Sequence, residues 1–435
     1  MTSSHSDPNL ARLVAIESDI RARKLDTAEC ALENAKHQAP GDPRIDYLEA
    51  MLASALGDVP RELACLQRAA QSAPESIMAQ RQLVRGLYLH DRVEDAAKAA
   101  DRAVTRHPQD LTLLEAAFRC NNDLGEFAQA ERHLRAALAL MPDNLQMQRD
   151  LANCLQAQGK HDDAIAVLRG LLTVLPDDAG AMLGIGDVFI RQGRMDEAIT
   201  HLERAHALAP DSASIQFHLA IARGETPPTQ PPDSIATLFD EYAQRFDKHL
   251  VGGLKYRVPR RIAETIKARA PALDIDILDL GCGTGLVGAY LRERPRQLIG
   301  IDLSQKMLAQ AARHGLYTQL RAGELLAELR AAPEQAFDYV VAADVFIYVG
   351  ELREVIPAIF RVLRRAGTLL FSCEATHDGE GDLALRASRR YAHSREAMRS
   401  LCAVAGFARC HVEDIDLRFE RGSVLPGFIV SAEKD

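Results

Sequence analysis

Six prolines, Pro40, Pro74, Pro108, Pro142, Pro176 and Pro210, stand 34 residues apart. A period of that length marks a unit of two paired helices, which buries its apolar faces by stacking on its neighbours. Counted back from each proline, small residues recur where paired helices must approach closely: Ala28, Glu62, Ala96, Ala130, Ala164, Ala198, then Ala35, Ala69, Ala103, Ala137, Leu171, Ala205. All but Glu62 and Leu171 are alanine, which joins the best helix propensity to the least bulk. Gly57, Gly125, Gly159 and Gly193 fall at the turn inside four of the units, and each proline ends a second helix. Glu62 and Asp91, the latter in place of a turn glycine, predict local distortion. The apolar stretch Ile215 to Ala222 predicts a capping helix.

The remaining half is of a different kind, and 435 residues suffice for two domains. Residues 233 to 435 carry 28 basic and 28 acidic side chains, so the net charge of −9 sits on the repeat half. Without a basic face, a nucleic-acid partner is not expected. The start, Met1 to Pro8, is polar, and no apolar run reaches the length of a membrane span, which argues against a secretory signal or a membrane partner. Eight cysteines lie singly, with no C-x-x-C pair, which points to a reducing cytoplasm and away from a metal site.

Between the halves, residues 224 to 232 hold four prolines in nine positions and predict an extended, semi-rigid linker. Next, Leu238 to Leu250 places Phe239, Tyr242, Ala243 and Phe246 at helical spacing, followed by Leu254 to Pro259. Periodicity alone reads this as an amphipathic helix packed on the domain behind it.

Ile275 to Leu280 reads as a buried strand, Gly281-Cys-Gly283-Thr-Gly285 as a tight turn, and Leu286 to Arg292 as a helix. Strand, glycine turn and helix start bring backbone N–H groups and open space to a polar ligand. The next strand, Gln297 to Ile301, ends at Asp302, where a carboxylate can accept both ribose hydroxyls of an adenosine. Leu286 breaks the G-x-G-x-x-G spacing of dinucleotide folds and disfavours a nicotinamide cofactor. Phe337 to Asp344 reads as a further strand ending in an acid, with Tyr348 in the loop beyond it, so Asp344 and Tyr348 should face a ligand held at the strand ends.

The repeats resemble the tetratricopeptide repeat (TPR) over roughly residues 9 to 212, most closely at Ile185, Gly186, Phe189, Gly193, Ala198, Leu202, Ala205 and Pro210. Asp279, the glycine turn, Asp302 and the later strands together resemble the class I S-adenosylmethionine-dependent methyltransferases over about residues 233 to 435. The resemblance implies an all-α superhelix of six helix pairs plus capping helix, residues 1–223. After the linker at 224–232 it implies an α/β Rossmann-like domain, 233–435, with a seven-stranded, mostly parallel sheet whose last strand is reversed. It implies S-adenosyl-L-methionine as cofactor, with Gly281, Cys282, Gly283 and Gly285 at its methionine part, Asp302 at the ribose, Leu303 by the adenine and Asp279, just before the turn, among the cofactor-binding residues. Glu324 falls near the adenine amino group or is simply a helix N-terminal acid; Asp344 is a further cofactor contact.

The likeness extends to a bacterial group of predicted methyltransferases with amino-terminal TPRs. These share F-D-x-Y-A-x-x-F-D, D-V-F-x-Y-V-G-x-L (Asp344 to Leu352) and R-Y-A-H-S, here Arg390 to Ser394. That favours the aromatic helix as a lid and makes Tyr391, His393 and Tyr348 candidates for the acceptor pocket. The alternative is that Ser394 only caps a helix and His393 is a solvated neighbour. A sulfonium methyl is already activated, so a base is needed only for an acceptor that must lose a proton; His393 is the first choice and Tyr348 the second. The expected function is a methyltransferase whose TPR groove takes a protein or peptide ligand. The alternatives are a scaffold that binds cofactor without turnover and a small-molecule methyltransferase that uses its repeats for assembly.

Overall fold

The structure, a computed structural model, describes residues 9–243, 246, 256–293, 295–420 and 423–435. The polar start and much of 244–255, including parts of both aromatic segments, lie outside the described residues. Backbone contacts divide the chain into two compact units, 1–174 and 175–435.

The first unit is five helix pairs: α1 (Leu10–Arg21) with α2 (Leu25–Gln38), and α3 (Pro43–Leu56) with α4 (Val59–Ser72). Then come α5 (Ile77–Leu89) with α6 (Val93–Arg106), α7 (Leu111–Leu124) with α8 (Phe127–Leu140), and α9 (Leu145–Ala157) with α10 (His161–Val174). A sixth pair, α11 (Ala179–Arg191) and α12 (Met195–Leu208), and the single helix α13 (Ala213–Ala222) belong to the second unit. Ala28, Ala96, Ala130, Ala164 and Ala198 have no exposed surface, as close helix crossing requires. Distortion is absent at Asp91, which takes the glycine's left-handed conformation at φ 57°, one that aspartate tolerates. Glu62 turns its carboxylate to His90, with Oε2 3.0 Å from Nε2.

Two residues past every proline stands a helix cap: Asp42, Ser76, Asp110, Asn144, Asp178 and Ser212 each accept a backbone N–H of the following first turn. Each satisfies a donor the helix cannot, worth about 1 kcal/mol.

The second unit continues with α14 (Pro232–Tyr242), α15 (Val258–Arg269), β1 (Asp276–Leu280), α16 (Leu286–Leu291), β2 (Gln297–Asp302) and α17 (Gln305–Arg313). β3 (Gln319–Ala322), α18 (Leu325–Ala331), β4 (Phe337–Ala342), α19 (Val355–Val362) and β5 (Leu363–Ala375) follow. The chain ends with β6 (Leu383–Leu385), β7 (Tyr391–His393), α20 (Arg395–Ala405), β8 (Arg409–Glu420) and β9 (Ser423–Glu433). The parallel order is β3-β2-β1-β4-β5; β9 then pairs antiparallel with β5 and carries β8. These are the seven strands expected, with the last reversed. Two more, the hairpin β6–β7, pair with the outer end of β5 at Glu374 and Ala375.

Strand side chains alternate between two cores. Leu278, Ile299, Val340 and Leu369 pack with α19 and α20, while Ile277, Leu298, Val341 and Leu370 pack with α15 and α16. Burying the sheet on both faces leaves the carboxyl ends of its strands as the place for a site.

The segment 224–232 is fastened to the sheet domain. Gly350 and Glu351 N–H groups donate to Pro228 O, Gln230 N–H donates to Tyr348 O, and the Tyr391 hydroxyl donates to Pro227 O at 2.7 Å.

Candidate active site

A cavity of about 570 Å³ opens where the strands end. Gly281 and Gly283 follow β1, Asp302 and Leu303 end β2, Gly323 and Glu324 follow β3, and Asp344, Val345 and Tyr348 follow β4; all line it. The turn needs its glycines: Gly281, Gly283 and Gly285 have φ of 59°, 55° and 85°. A Cβ on Gly281 would come 2.6 Å from Val345, and one on Gly283 would point toward the Phe246 ring at 4.0 Å.

Asp302 binds the turn to the next helix. Oδ2 accepts from Gly283 N–H at 2.9 Å and Oδ1 from Ser304 N–H at 2.8 Å. Burial raises its pKa, against the lowering by the backbone N–H groups of Ser304, Gly283 and Leu303. A carboxylate offers about four acceptor positions, so room remains for a ligand hydroxyl beside these three donors.

Aromatic rings of α14, and of Phe246 beyond it, border the cavity. Phe239, Tyr242 and Phe246 all line it; Phe239 meets Tyr348 edge to face at 5.4 Å and Phe246 at 6.1 Å. Asp240 fastens this helix, accepting from Ser304 Oγ at 2.5 Å and Lys306 N–H at 3.2 Å.

The remaining residues singled out in the sequence divide between cavity and support. Asp344 lines the cavity with its carboxylate committed: Oδ1 accepts from Ser372 Oγ at 2.7 Å and Oδ2 from Arg418 Nη1 at 2.6 Å. Glu324 also lines it, yet caps α18 by accepting from Leu326 and Ala327 N–H groups. Tyr348 is half-buried, and loss of solvent raises its pKa despite Arg390 and Arg418 nearby. Cys282 and Gly285 are not among the lining residues and shape the turn from beneath.

Tyr391 and His393 are likewise not among the lining residues. Both point from β7 toward the loop after β4: His393 Nε2 donates to Gly350 O at 3.0 Å, and a Cβ on Gly350 would strike the Tyr391 ring. Burial lowers the His393 pKa, and Ser394 caps α20. Sequence reasoning passed over their neighbour Arg390, which lines the cavity, as do Arg418, Gln230 and Tyr256.

Asp279 lies under the turn at 1% exposure, with the Tyr317 hydroxyl donating to Oδ2 at 2.6 Å and Oδ1 without a hydrogen-bond partner among the described residues. Burial pushes its pKa up to about 7; the Tyr317 bond opposes this and Asp302 adds to it. The folded protein therefore holds a proton that the unfolded chain releases, so this stabilisation is complete below the ordinary carboxylate range and lost as pH rises through about 7. Asp279→Asn is expected to flatten a fall in stability of up to about 4 kcal/mol between about pH 4 and 7. Thermal midpoints of wild type and variant across that range check this; parallel curves would refute it.

Residues 277–367 match the family model of a methyltransferase domain, and residues 123–173 and 155–213 match that of a tetratricopeptide repeat. Malonyl-[acyl-carrier protein] O-methyltransferase of Enterobacter lignolyticus is 28% identical over 148 residues, 33% of this chain and 55% of that protein. Human methyltransferase-like protein 27 is 40% identical over 106 residues, 24% of this chain and 43% of that protein. The chain thus spans about half the length of the curated relatives it matches. Among solved structures, YrrB, a TPR protein with an unusual peptide-binding site, aligns with 43% of this chain and 96% of its own at 18% identity and a TM-score of 0.37.

Proposed function

We propose, for a chain that joins tetratricopeptide repeats to a class I S-adenosylmethionine-dependent methyltransferase domain, that it methylates an acceptor seated in this cavity. Its repeat region, residues 1–223, recruits a protein partner or acceptor. The observation that carries the reading is one cavity combining the open glycine turn, Asp302 and the aromatic rings of Phe239, Phe246 and Tyr348.

Gly281, Gly283, Asp302 and Leu303 would hold the cofactor, with Glu324 at the adenine edge. Asp279, Cys282 and Gly285 keep the turn in shape from below, and Asp344 acts by fixing the loop after β4. The bound cofactor supplies a methyl group already activated as a sulfonium, so the protein's contribution is to align the acceptor and exclude water. Tyr348, edge-on to Phe239, orients the acceptor. His393 serves by holding the Gly350 loop, and no base is assigned to it.

The full chain should bind S-adenosylmethionine and S-adenosylhomocysteine in calorimetric titration. Incubated with labelled cofactor and extract separated by size, it should transfer label to macromolecules. Label found only in small molecules would remove the protein-acceptor reading, and binding with no transfer would favour a scaffold.

A further inference from the structure

Around the cavity, tyrosine hydroxyls that serve the fold end on a partner in the chain. That of Tyr317 donates to Asp279 Oδ2 at 2.6 Å, and that of Tyr391 to Pro227 O at 2.7 Å. Tyr256 differs. It is 6% exposed and lines the cavity, yet its hydroxyl has no hydrogen-bond partner among the described residues.

The position is fixed by the ring. Tyr256 stands just before α15 and belongs to the apolar cluster that holds Val258 and Ile262 of α15, Val341 of β4 and Leu417 of β8. A phenylalanine would fill the same place. A buried hydroxyl without a partner is costly, and buried tyrosines ordinarily find one, so a partner for this one comes with whatever fills the cavity. Burial holds the Tyr256 pKa well above the ordinary phenol value, with Asp344 adding to the effect and Arg418 opposing it. The group therefore keeps its proton and acts as a donor rather than a base.

Its surroundings say which ligand it meets. The charged groups that act on it most are Asp344 and Arg418, followed by Tyr348 and Asp279. Asp344 is itself held, accepting from Ser372 Oγ at 2.7 Å and Arg418 Nη1 at 2.6 Å. In the sheet order, β4 and β8 lie on the other side of β1 from β2 and β3, whose ends bring Asp302, Leu303 and Glu324 to the cavity.

We propose that Tyr256 binds the methyl acceptor, its hydroxyl donating to an oxygen or nitrogen lone pair of that molecule at the ends of β4 and β8. This rests on the methyltransferase reading above. Held by that bond, the acceptor is turned toward the activated methyl group.

The test is Tyr256→Phe in the full chain, which removes the hydroxyl and keeps the ring. Because the hydroxyl supports no contact of the fold, the unfolding midpoint should stay within about 2 °C of wild type and the S-adenosylhomocysteine affinity within about two-fold. Label transfer from S-adenosylmethionine to the extract fraction that wild type labels should fall at least about ten-fold when that fraction is limiting, because the acceptor loses its donor. A dilution series of the fraction should show the half-saturating amount raised.

Equal labelling by wild type and variant overturns the proposal. So does a loss of S-adenosylhomocysteine affinity in Tyr256→Phe, which would assign the hydroxyl to the cofactor, or a lowered unfolding midpoint, which would assign it to the fold. Wild type that binds S-adenosylhomocysteine and labels no fraction counts against the methyltransferase reading, and Tyr256 falls with it; equal labelling counts against Tyr256 alone.

Discussion

Replacing Asp302 by alanine is expected to weaken S-adenosylmethionine binding by at least about a hundred-fold, because two effects of the carboxylate are lost together. Its oxygens fix Gly283 N–H and Ser304 N–H, so they set the shape of the turn that meets the ligand. In the proposed cofactor site the remaining acceptor position would offer a ribose hydroxyl a charged hydrogen bond, about 1.5–3 kcal/mol by itself. Asp302→Asn separates the two effects. The amide keeps one acceptor for Ser304 N–H but loses the charge, and the expected loss is roughly ten-fold. Calorimetry on variants whose circular dichroism matches wild type decides; unaltered affinity in Asp302→Ala would remove Asp302 from the cofactor site. Because burial already raises the Asp302 pKa, binding should also weaken on acidification, as the protonated carboxyl loses acceptor capacity.

The repeats were legible because their signals are local and recur. A proline stops a helix through its own ring and a small residue permits a crossing through its own size, so each 34-residue unit announces itself. The same logic was present and unread two residues further on, where Asp42, Ser76, Asp110, Asn144, Asp178 and Ser212 cap the next helix. Asp91 shows the converse. A missing glycine at a turn signals distortion only if the replacement cannot adopt positive φ, and aspartate can.

In the sheet domain, Gly281, Gly283, Asp302 and Tyr348 reach the cavity as their strand-end positions suggested, since a strand end fixes where a residue stands. Facing was harder. In Arg390 to Ser394, alternation puts Tyr391 and His393 on one side, and whether that side meets the cavity depends on Pro227, Pro228 and Gly350, distant in sequence. The 224–232 segment was read by composition as a linker, yet its carbonyls serve the loop after β4, a pairing that proline content cannot reveal. Arg418 was hidden by a register shift: near Asp416 the β8–β9 ladder is irregular, and Leu417 and Arg418 are consecutive and both buried. A strict period of two would have sent one of them to solvent.

That buried arginine carries the second large effect. Arg418→Met is expected to destabilise the methyltransferase unit by about 3–5 kcal/mol, the range found when one partner of a buried ion pair is removed. The Asp344 carboxylate, with 9% of its side chain exposed, would keep Ser372 Oγ as a donor and lose its countercharge. The backbone adds to the constraint, since Asp344 sits at φ 55°, a conformation open to asparagine and glycine but strained for most residues. The double variant Asp344→Asn/Arg418→Met should therefore recover most of the loss, because asparagine tolerates that φ, still accepts from Ser372 and leaves no charge to match. Unfolding of the full chain can be followed by the transition that S-adenosylhomocysteine raises, which identifies the unit that binds it. A fall of roughly 10 °C in the single variant, largely restored in the double, is the expected pattern. If the double variant is as unstable as the single, Arg418 acts through its packing against the cavity wall, and the ion pair with Asp344 is incidental to the fold.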